Sequence, residues 1–293
     1  MIRTAIGPYQ LVRLLGRGGM AEVHLAIAHG ASGFERLVAI KTLAPELAGE
    51  AELERALIRE AVLGAGVHHR NLVGVLGLGV DDGYYVVLEY VDGGDLARHL
   101  RGAMPEPLAL HVVHELALGL AHLHAARDRR GLPLAIVHRD IGPANVLVSS
   151  AGDVKLADFG VAKATALADR TAAGTRKGRY SYMAPEQLAG EPVTAAADQF
   201  GLAVMLVELV TGHRPFAGET PWSVLDAIRS GPRLDGLAAD LAAIASRALA
   251  PIAAARYASI EELRLAIATA QDSRPRITPV EVASWLTLTC VTS

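Results

Sequence analysis

Hydrophobic and polar positions divide the chain into a strand-like part followed by a helix-like part. Between residues 10 and 43 the order reads strand, glycine turn, strand, strand. In Val23-His24-Leu25-Ala26-Ile27 the large apolar residues alternate with smaller or polar ones, and Leu37-Val38-Ala39-Ile40 is a short apolar run, so antiparallel strands are the economical reading. From Ala51 to Leu63 the spacing turns helical, with Leu53, Leu57 and Ala61 at four-residue steps and Gly64 and Gly66 as stop signals. Tyr84-Tyr85-Val86-Val87-Leu88 predicts another strand after the Asp81-Asp82-Gly83 turn, and Asp92-Gly93-Gly94 interrupts it. Beyond residue 95 long helices dominate. Leu108 to Ala126 carries Leu110, Val113, Ala117, Leu120 and Leu123 on one stripe, and 195–211 and 237–268 add Ala/Leu-rich helices. The composition shift near Gly93-Gly94 marks a boundary between lobes. After Gln271 the chain turns polar, then Thr278-Pro279-Val280-Glu281 forms a capping box that predicts a short terminal helix.

Composition narrows the class. The 293 residues are 51% hydrophobic, 20% charged and 4% aromatic, which excludes a disordered or collagen-like chain and builds the core from Leu, Val, Ile and Ala. A net charge of −3 gives no general reason to expect nucleic acid or an anionic membrane as partner. Cys290 is the one cysteine, so no internal disulfide and no cysteine-based zinc site is expected, which suits a reducing cytoplasm. The start, MIRTAIGPYQ, reaches Gly-Pro before an apolar run of signal-peptide length can build. The best spanning candidate, Val193 to Gly212, contains Asp198 and Glu208, each costly in a bilayer, so no membrane insertion is expected. There are four lysines among 28 basic residues, and with heavy alanine use this suggests a GC-rich, bacterial genome.

The chemistry is carried by short motifs in a fixed order. Gly16-Arg17-Gly18-Gly19-Met20-Ala21-Glu22-Val23 approximates a Gly-x-Gly-x-x-Gly-x-Val loop, with Ala21 at the third glycine position; glycines let backbone N–H groups approach phosphate oxygens without a Cβ in the way. A strand follows the loop, which argues against a Rossmann site, and no Gly-Lys-Ser/Thr follows it. Lys41 ends the apolar strand Val38-Ala39-Ile40, and Glu60, 19 residues on in the predicted helix, is placed to pair with it. His138-Arg139-Asp140, then Asn145, then Asp158-Phe159-Gly160, then Ala184-Pro185-Glu186 complete the series. His111, His114, His122 and His124 crowd one helix, but with no cysteine and divergent directions they do not predict a metal site. Arg127-Asp128-Arg129-Arg130 reads as a solvated loop.

Over residues 9 to 268 this series resembles a Ser/Thr protein kinase, particularly the bacterial eukaryotic-like kinases. The resemblance implies an α+β, bilobal fold: a small antiparallel-sheet N-lobe (9–91) with one main helix, a hinge (89–94) and a large, mainly helical C-lobe (95–268), then a tail from 271 to 293. It implies ATP, Mg²⁺ (with Mn²⁺ as a possible substitute) and protein substrates, itself included. By the same resemblance Asn145 and Asp158 are the Mg²⁺ ligands, Asp140 the base that orients the acceptor hydroxyl, and Lys41, held by Glu60, the contact to the α/β-phosphates. Leu15, Gly16, Gly18 and Gly19 belong to the nucleotide loop. Val23, Ala39 and Leu147 sandwich adenine, Leu88 is the gatekeeper, the backbone from Glu89 to Val91 pairs with the base, and Asp95 accepts from a ribose hydroxyl. Asp198 and Gly201 match the start of the long buried helix of the large lobe, and Arg256 the partner of Glu186.

Two positions depart from the family pattern. Gly142 stands where Ser/Thr kinases carry a lysine, and Arg179 stands where they carry threonine before Tyr180-Ser181-Tyr182. Arg179 is therefore expected to supply the missing positive charge at the catalytic loop. An active kinase and a nucleotide-binding pseudokinase scaffold are the competing readings; Ala-Pro-Glu and Arg256 disfavour a small-molecule phosphotransferase. Phosphorylation is expected on Thr165, Thr171 or Thr175, opposite Arg139 and Lys163. Lys41→Met and Asp158→Asn are expected to remove activity and leave the fold intact.

Overall fold

The computed structural model describes residues 4–158 and 180–290. These fall into two compact units, one of residues 4–69 and 73–91 and the other of 70–72 with 92–158 and 180–290. The first unit is built on a six-stranded antiparallel sheet, β1 (Ala5–Ile6), β2 (Tyr9–Arg17), β3 (Ala21–His29), β4 (Glu35–Leu43), β5 (Val75–Val80) and β6 (Tyr84–Glu89), in the order β1-β2-β3-β4-β6-β5. The β3–β4 ladder runs unbroken from Ala21 opposite Leu43 to His29 opposite Glu35, whereas β2 slips register between Leu14 and Gly16 and leaves Leu15 at a bulge. Period-two alternation sorts β4 into two faces: Val38 and Ile40 join Ile6, Ala26, Tyr85 and Val87 in a hydrophobic cluster, and Ala39 and Lys41 take the other face. The helix α1 (Ala51–Gly64) buries Leu53, Ala56, Leu57, Glu60, Ala61 and Gly64, a stripe at helical spacing with a carboxylate in its middle.

The second unit is mainly helical. Its helices are α2 (Glu106–His124), α3 (Pro185–Leu188), α4 (Ala196–Thr211), α5 (Pro221–Ser230), α6 (Ala239–Ala248), α7 (Ile260–Asp272) and α8 (Pro279–Cys290). Its small sheet joins β7 (Gly93–Asp95), β8 (Val146–Ser149) and β9 (Val154–Leu156). Both α2 and α4 are buried nearly all round, and Phe200 of α4 stacks on Phe216 with ring centroids 5.6 Å apart. Gly201 allows this helix to come close to the loop before β8, since a Cβ there would lie 2.9 Å from Ile141 Cβ. Among the described residues no helix is long and apolar enough to cross a membrane.

The structure adds detail to the sequence reading. The strand of Tyr84 ends at Glu89, ahead of Asp92-Gly93-Gly94, and Gly93 and Gly94 form a separate short strand with Asp95, where a Cβ on Gly93 would collide with the Val148 carbonyl. The helical stretch 237–268 is two helices separated by a turn at 253–255. The strand Val75–Val80 and the helix Pro221–Ser230 were not foreseen, the first because two glycines dilute its β signal. The terminal helix α8 is capped as its sequence predicts, with Thr278 N–H donating to Glu281 Oε2 at 2.7 Å, and it buries Val282 and Leu286.

Candidate active site

On the first unit the strand register gathers one set of groups. Val23 lies opposite Lys41 and Ala39 opposite Leu88, so Val23, Ala39, Lys41 and Leu88 share a single face of the sheet. Glu60 meets that face from α1: Lys41 Nζ donates to its Oε1 at 2.7 Å, with both side chains 10% exposed. A buried ammonium persists only with such a partner. Gly16 pairs opposite Val23, Gly18 N–H donates to the Ala21 carbonyl at 2.8 Å, and the loop between β2 and β3 carries Gly19. Gly16 and Gly18 do not adopt left-handed backbone, and nothing lies within 4 Å of where a Gly16 Cβ would be, so clearance is what that glycine provides. Glu89 closes β6, with Val91 two residues beyond its end, and its Oε2 accepts from Gly74 N–H at 3.1 Å.

The second unit carries the His138-Arg139-Asp140 segment. Asp198 of α4 is 1% exposed, and its two oxygens accept from the backbone N–H of His138 and of Arg139, both at 2.8 Å. This carboxylate holds Arg139 at φ +66, a backbone conformation that costs a non-glycine residue about 1 kcal/mol or more. Asn145 then reaches back, its Nδ2 donating to Asp140 Oδ2 and to the Asp140 carbonyl, both at 2.6 Å, which fixes the aspartate rotamer. The Asn145 carbonyl in turn accepts from Ala157 N–H at 2.8 Å, tying the loop to the residue before Asp158, itself at φ +60. Leu147 lies between Asp95 and Lys155 across the small sheet. Asp95 caps the turn that follows it and pairs with Arg98 Nε at 2.7 Å, an ion pair whose arginine is two-thirds exposed and therefore weak.

Further groups brace this loop. Glu186 and Arg256 form the expected pair, bidentate at 2.7 and 2.9 Å with the arginine side chain fully buried; Arg256 also donates to the Ala196 and Ala250 carbonyls. Gln187 Nε2 donates to the Arg139 carbonyl at 2.9 Å. Burial and the hydrogen-bonded Glu208 hold the Tyr182 phenol well above its ordinary pKa, and Arg214 pairs with the same carboxylate at 2.9 Å. Sequence reasoning also missed the role of His124: its Nε2 donates to Asp198 Oδ2 at 2.7 Å, which no spacing within its own helix reveals. His114 instead accepts from Arg264 at 3.1 Å, and burial lowers the imidazole pKa of both His111 and His114. The sequence predictions that concern Phe159, Gly160, Lys163, Thr165, Thr171, Thr175 and Arg179 lie outside the described residues.

An antiparallel sheet presenting a buried lysine–glutamate pair, with a helical unit presenting an anchored His-Arg-Asp loop, defines a class. The family model described as "Protein kinase domain" matches residues 9–242, and the chain belongs to the protein kinase family. It is 41% identical over 276 residues to the tyrosine-protein kinase MasK of Myxococcus xanthus, covering 90% of this chain and 43% of that protein. It is 34% identical over 286 residues to the serine/threonine-protein kinase PknB of Mycobacterium tuberculosis, covering 92% and 44%. The chain thus spans less than half the length of these curated relatives. Among solved structures, the Mycobacterium tuberculosis PknI kinase domain superimposes with a TM-score of 0.68 at 29% identity, covering 94% of this chain and all of that one. The fold expected from the sequence, an antiparallel-sheet unit and a mainly helical unit of protein-kinase type, is the fold observed.

Proposed function

We propose that this chain is the catalytic part of an active, ATP- and Mg²⁺-dependent protein kinase that phosphorylates serine and threonine hydroxyls, its own included. The observation that carries the reading is the buried Lys41–Glu60 ion pair, since phosphoryl transfer needs this cation fixed in place. Lys41 neutralises the α/β-phosphates while Glu60 holds its ammonium. Leu15, Gly16, Gly18 and Gly19 cover the phosphates; Val23, Ala39 and Leu147 take the adenine faces beside Leu88; the Glu89 to Val91 backbone pairs with the adenine edge. Asp95 exchanges its exposed Arg98 partner for a ribose hydroxyl. Asp140, its rotamer fixed by Asn145, orients the acceptor hydroxyl and receives its proton. The Asp158 carboxylate and the Asn145 amide oxygen are hard donors that suit Mg²⁺, and Mn²⁺ can replace it. When bound, the ion neutralises charge on the transferring phosphoryl group. By the same reading, Arg179 takes over the role of the lysine that Gly142 replaces.

Serine/threonine specificity is supported by the relatives named PknB and, in Bacillus subtilis, PrkC, which is 37% identical over 221 residues. The similarity to MasK, at 41%, favours tyrosine as a second acceptor. Phosphoamino-acid analysis after incubation with ATP and Mg²⁺ separates the two: phosphothreonine and phosphoserine are expected, with mass spectrometry placing phosphate on Thr165, Thr171 or Thr175. Phosphotyrosine alone would transfer the chain to the other specificity.

A further inference from the structure

The terminal helix α8 (Pro279–Cys290) lies beyond the residues that the family model matches, yet it is fastened to the helical unit at its root and at both ends. At the root, Arg274 pairs with Glu106 and, bidentate at 2.8 and 3.1 Å, with Asp240. At the start of the helix the Pro279 carbonyl crowds Gly152, in the turn between β8 and β9: a Cβ there would lie 1.9 Å from that oxygen, and Gly152 has φ +90, so the contact requires glycine. Near its end, Thr289 donates its one hydroxyl proton to the Leu286 carbonyl at 2.9 Å and therefore accepts from His99 Nδ1 at 3.0 Å. The Trp285 ring stands against the same imidazole, with centroids 6.4 Å apart. His99 is buried, and burial lowers its pKa, so at neutral pH the ring is uncharged with its proton on Nδ1.

The residues that α8 grips adjoin those that would meet the nucleoside. His99 ends the tight turn Leu96–Arg98, its N–H donating to the Leu96 carbonyl at 3.0 Å, and Asp95 begins that turn, its Oδ1 accepting from Arg98 N–H at 3.1 Å. With Leu96 fully buried, the turn is a short rigid link that has Asp95 at one end and the imidazole held by α8 at the other. Asp95 is also the register partner of Leu147 across β7 and β8, and Gly152 closes the hairpin in which β8 lies. We propose that α8 is a strap that sets nucleotide affinity, with His99 and Thr289 as positioning residues that hold Asp95 where a ribose hydroxyl can donate to it. The inference rests on the kinase reading, which makes Asp95 the ribose contact; the strap itself is a feature of this chain outside the matched family domain.

The test uses the full chain with Thr289→Val, which removes the acceptor for His99, with Thr289→Ser, which restores it, and with Gly152→Ala, which displaces the start of α8; thermal unfolding confirms that each variant folds. ATP and 2′,3′-dideoxy-ATP, which lacks both ribose hydroxyls, are titrated by calorimetry in the presence of Mg²⁺. Thr289→Val and Gly152→Ala are expected to raise the Kd for ATP by about threefold to tenfold, the worth of one hydrogen bond, and to leave the Kd for the dideoxy nucleotide unchanged, with Thr289→Ser close to wild type. Without nucleotide, hydrogen exchange at the Arg98 and His99 amides is expected to quicken in the same two variants. An unchanged Kd for ATP in both, or unchanged exchange at those amides, would overturn the strap. Equal weakening of both nucleotides would overturn its action through Asp95. Wild type that binds neither nucleotide would overturn the kinase reading and the inference with it.

Discussion

Lys41 and Glu60 are both under a tenth exposed, so removing either partner strands a buried charge. Lys41→Met should therefore lose about 3–5 kcal/mol of stability along with activity. Lys41→Met combined with Glu60→Leu should recover most of that stability in denaturant unfolding and none of the activity, and equal stability of wild type and Lys41→Met would contradict the burial argument. At Gly142 the backbone is extended, and an added Cβ would meet the Tyr182 ring at 3.7 Å, an ordinary van der Waals contact. Gly142→Lys should therefore fold normally. If Arg179 supplies the missing charge, Arg179→Ala should slow turnover by about 10²–10³, and by much less when Gly142→Lys is present. Strict additivity in that cycle would rule the exchange out. Lys41, Glu60, Asp140, Asn145, Glu186 and Arg256 were singled out in the sequence because their motifs resemble those of protein kinases, and the structure pairs Lys41 with Glu60, Asn145 with Asp140 and Arg256 with Glu186. His124 and Gln187 were not, because their partners are chosen by tertiary packing alone.

Among the elements, α2 carries a testable pH response. Burial lowers the pKa of His111 and His114 below the ordinary 6.5; Arg70 lowers both further, Arg264 adds to this at His114, and Glu115 opposes the shift. Above about pH 6.5 each imidazole is neutral folded or unfolded, and below it the unfolded chain binds protons that the folded chain refuses. Stability should fall as pH drops from about 6.5 until the lowered folded values are reached. Thermal unfolding between about pH 7.5 and 5 should show a shallower acid loss in a His111→Gln, His114→Gln variant than in wild type; parallel curves would remove these residues from the acid response. Long periodic elements such as β3, β4, α1 and α2 were readable from spacing, since burial repeats along them. The three-residue strands β7 and β9 were not: they are too short for a period, and β7 depends on the fit of Gly93 against Val148.

For the molecule as a whole, membership of the protein kinase family rests on a match across residues 9–242, and the relatives extend well beyond the length spanned here. The central claim is transfer of the γ-phosphoryl group of ATP to a protein hydroxyl. Incubation with γ-radiolabelled ATP, with Mg²⁺ or with chelator, and with and without a generic protein acceptor, tests it most directly when wild type is run beside Asp140→Asn and Asp158→Asn. The account predicts Mg²⁺-dependent label on protein in wild type and its loss in both variants, with nucleotide binding kept in Asp140→Asn. Nucleotide binding without label in wild type, or equal label in all three proteins, would contradict it.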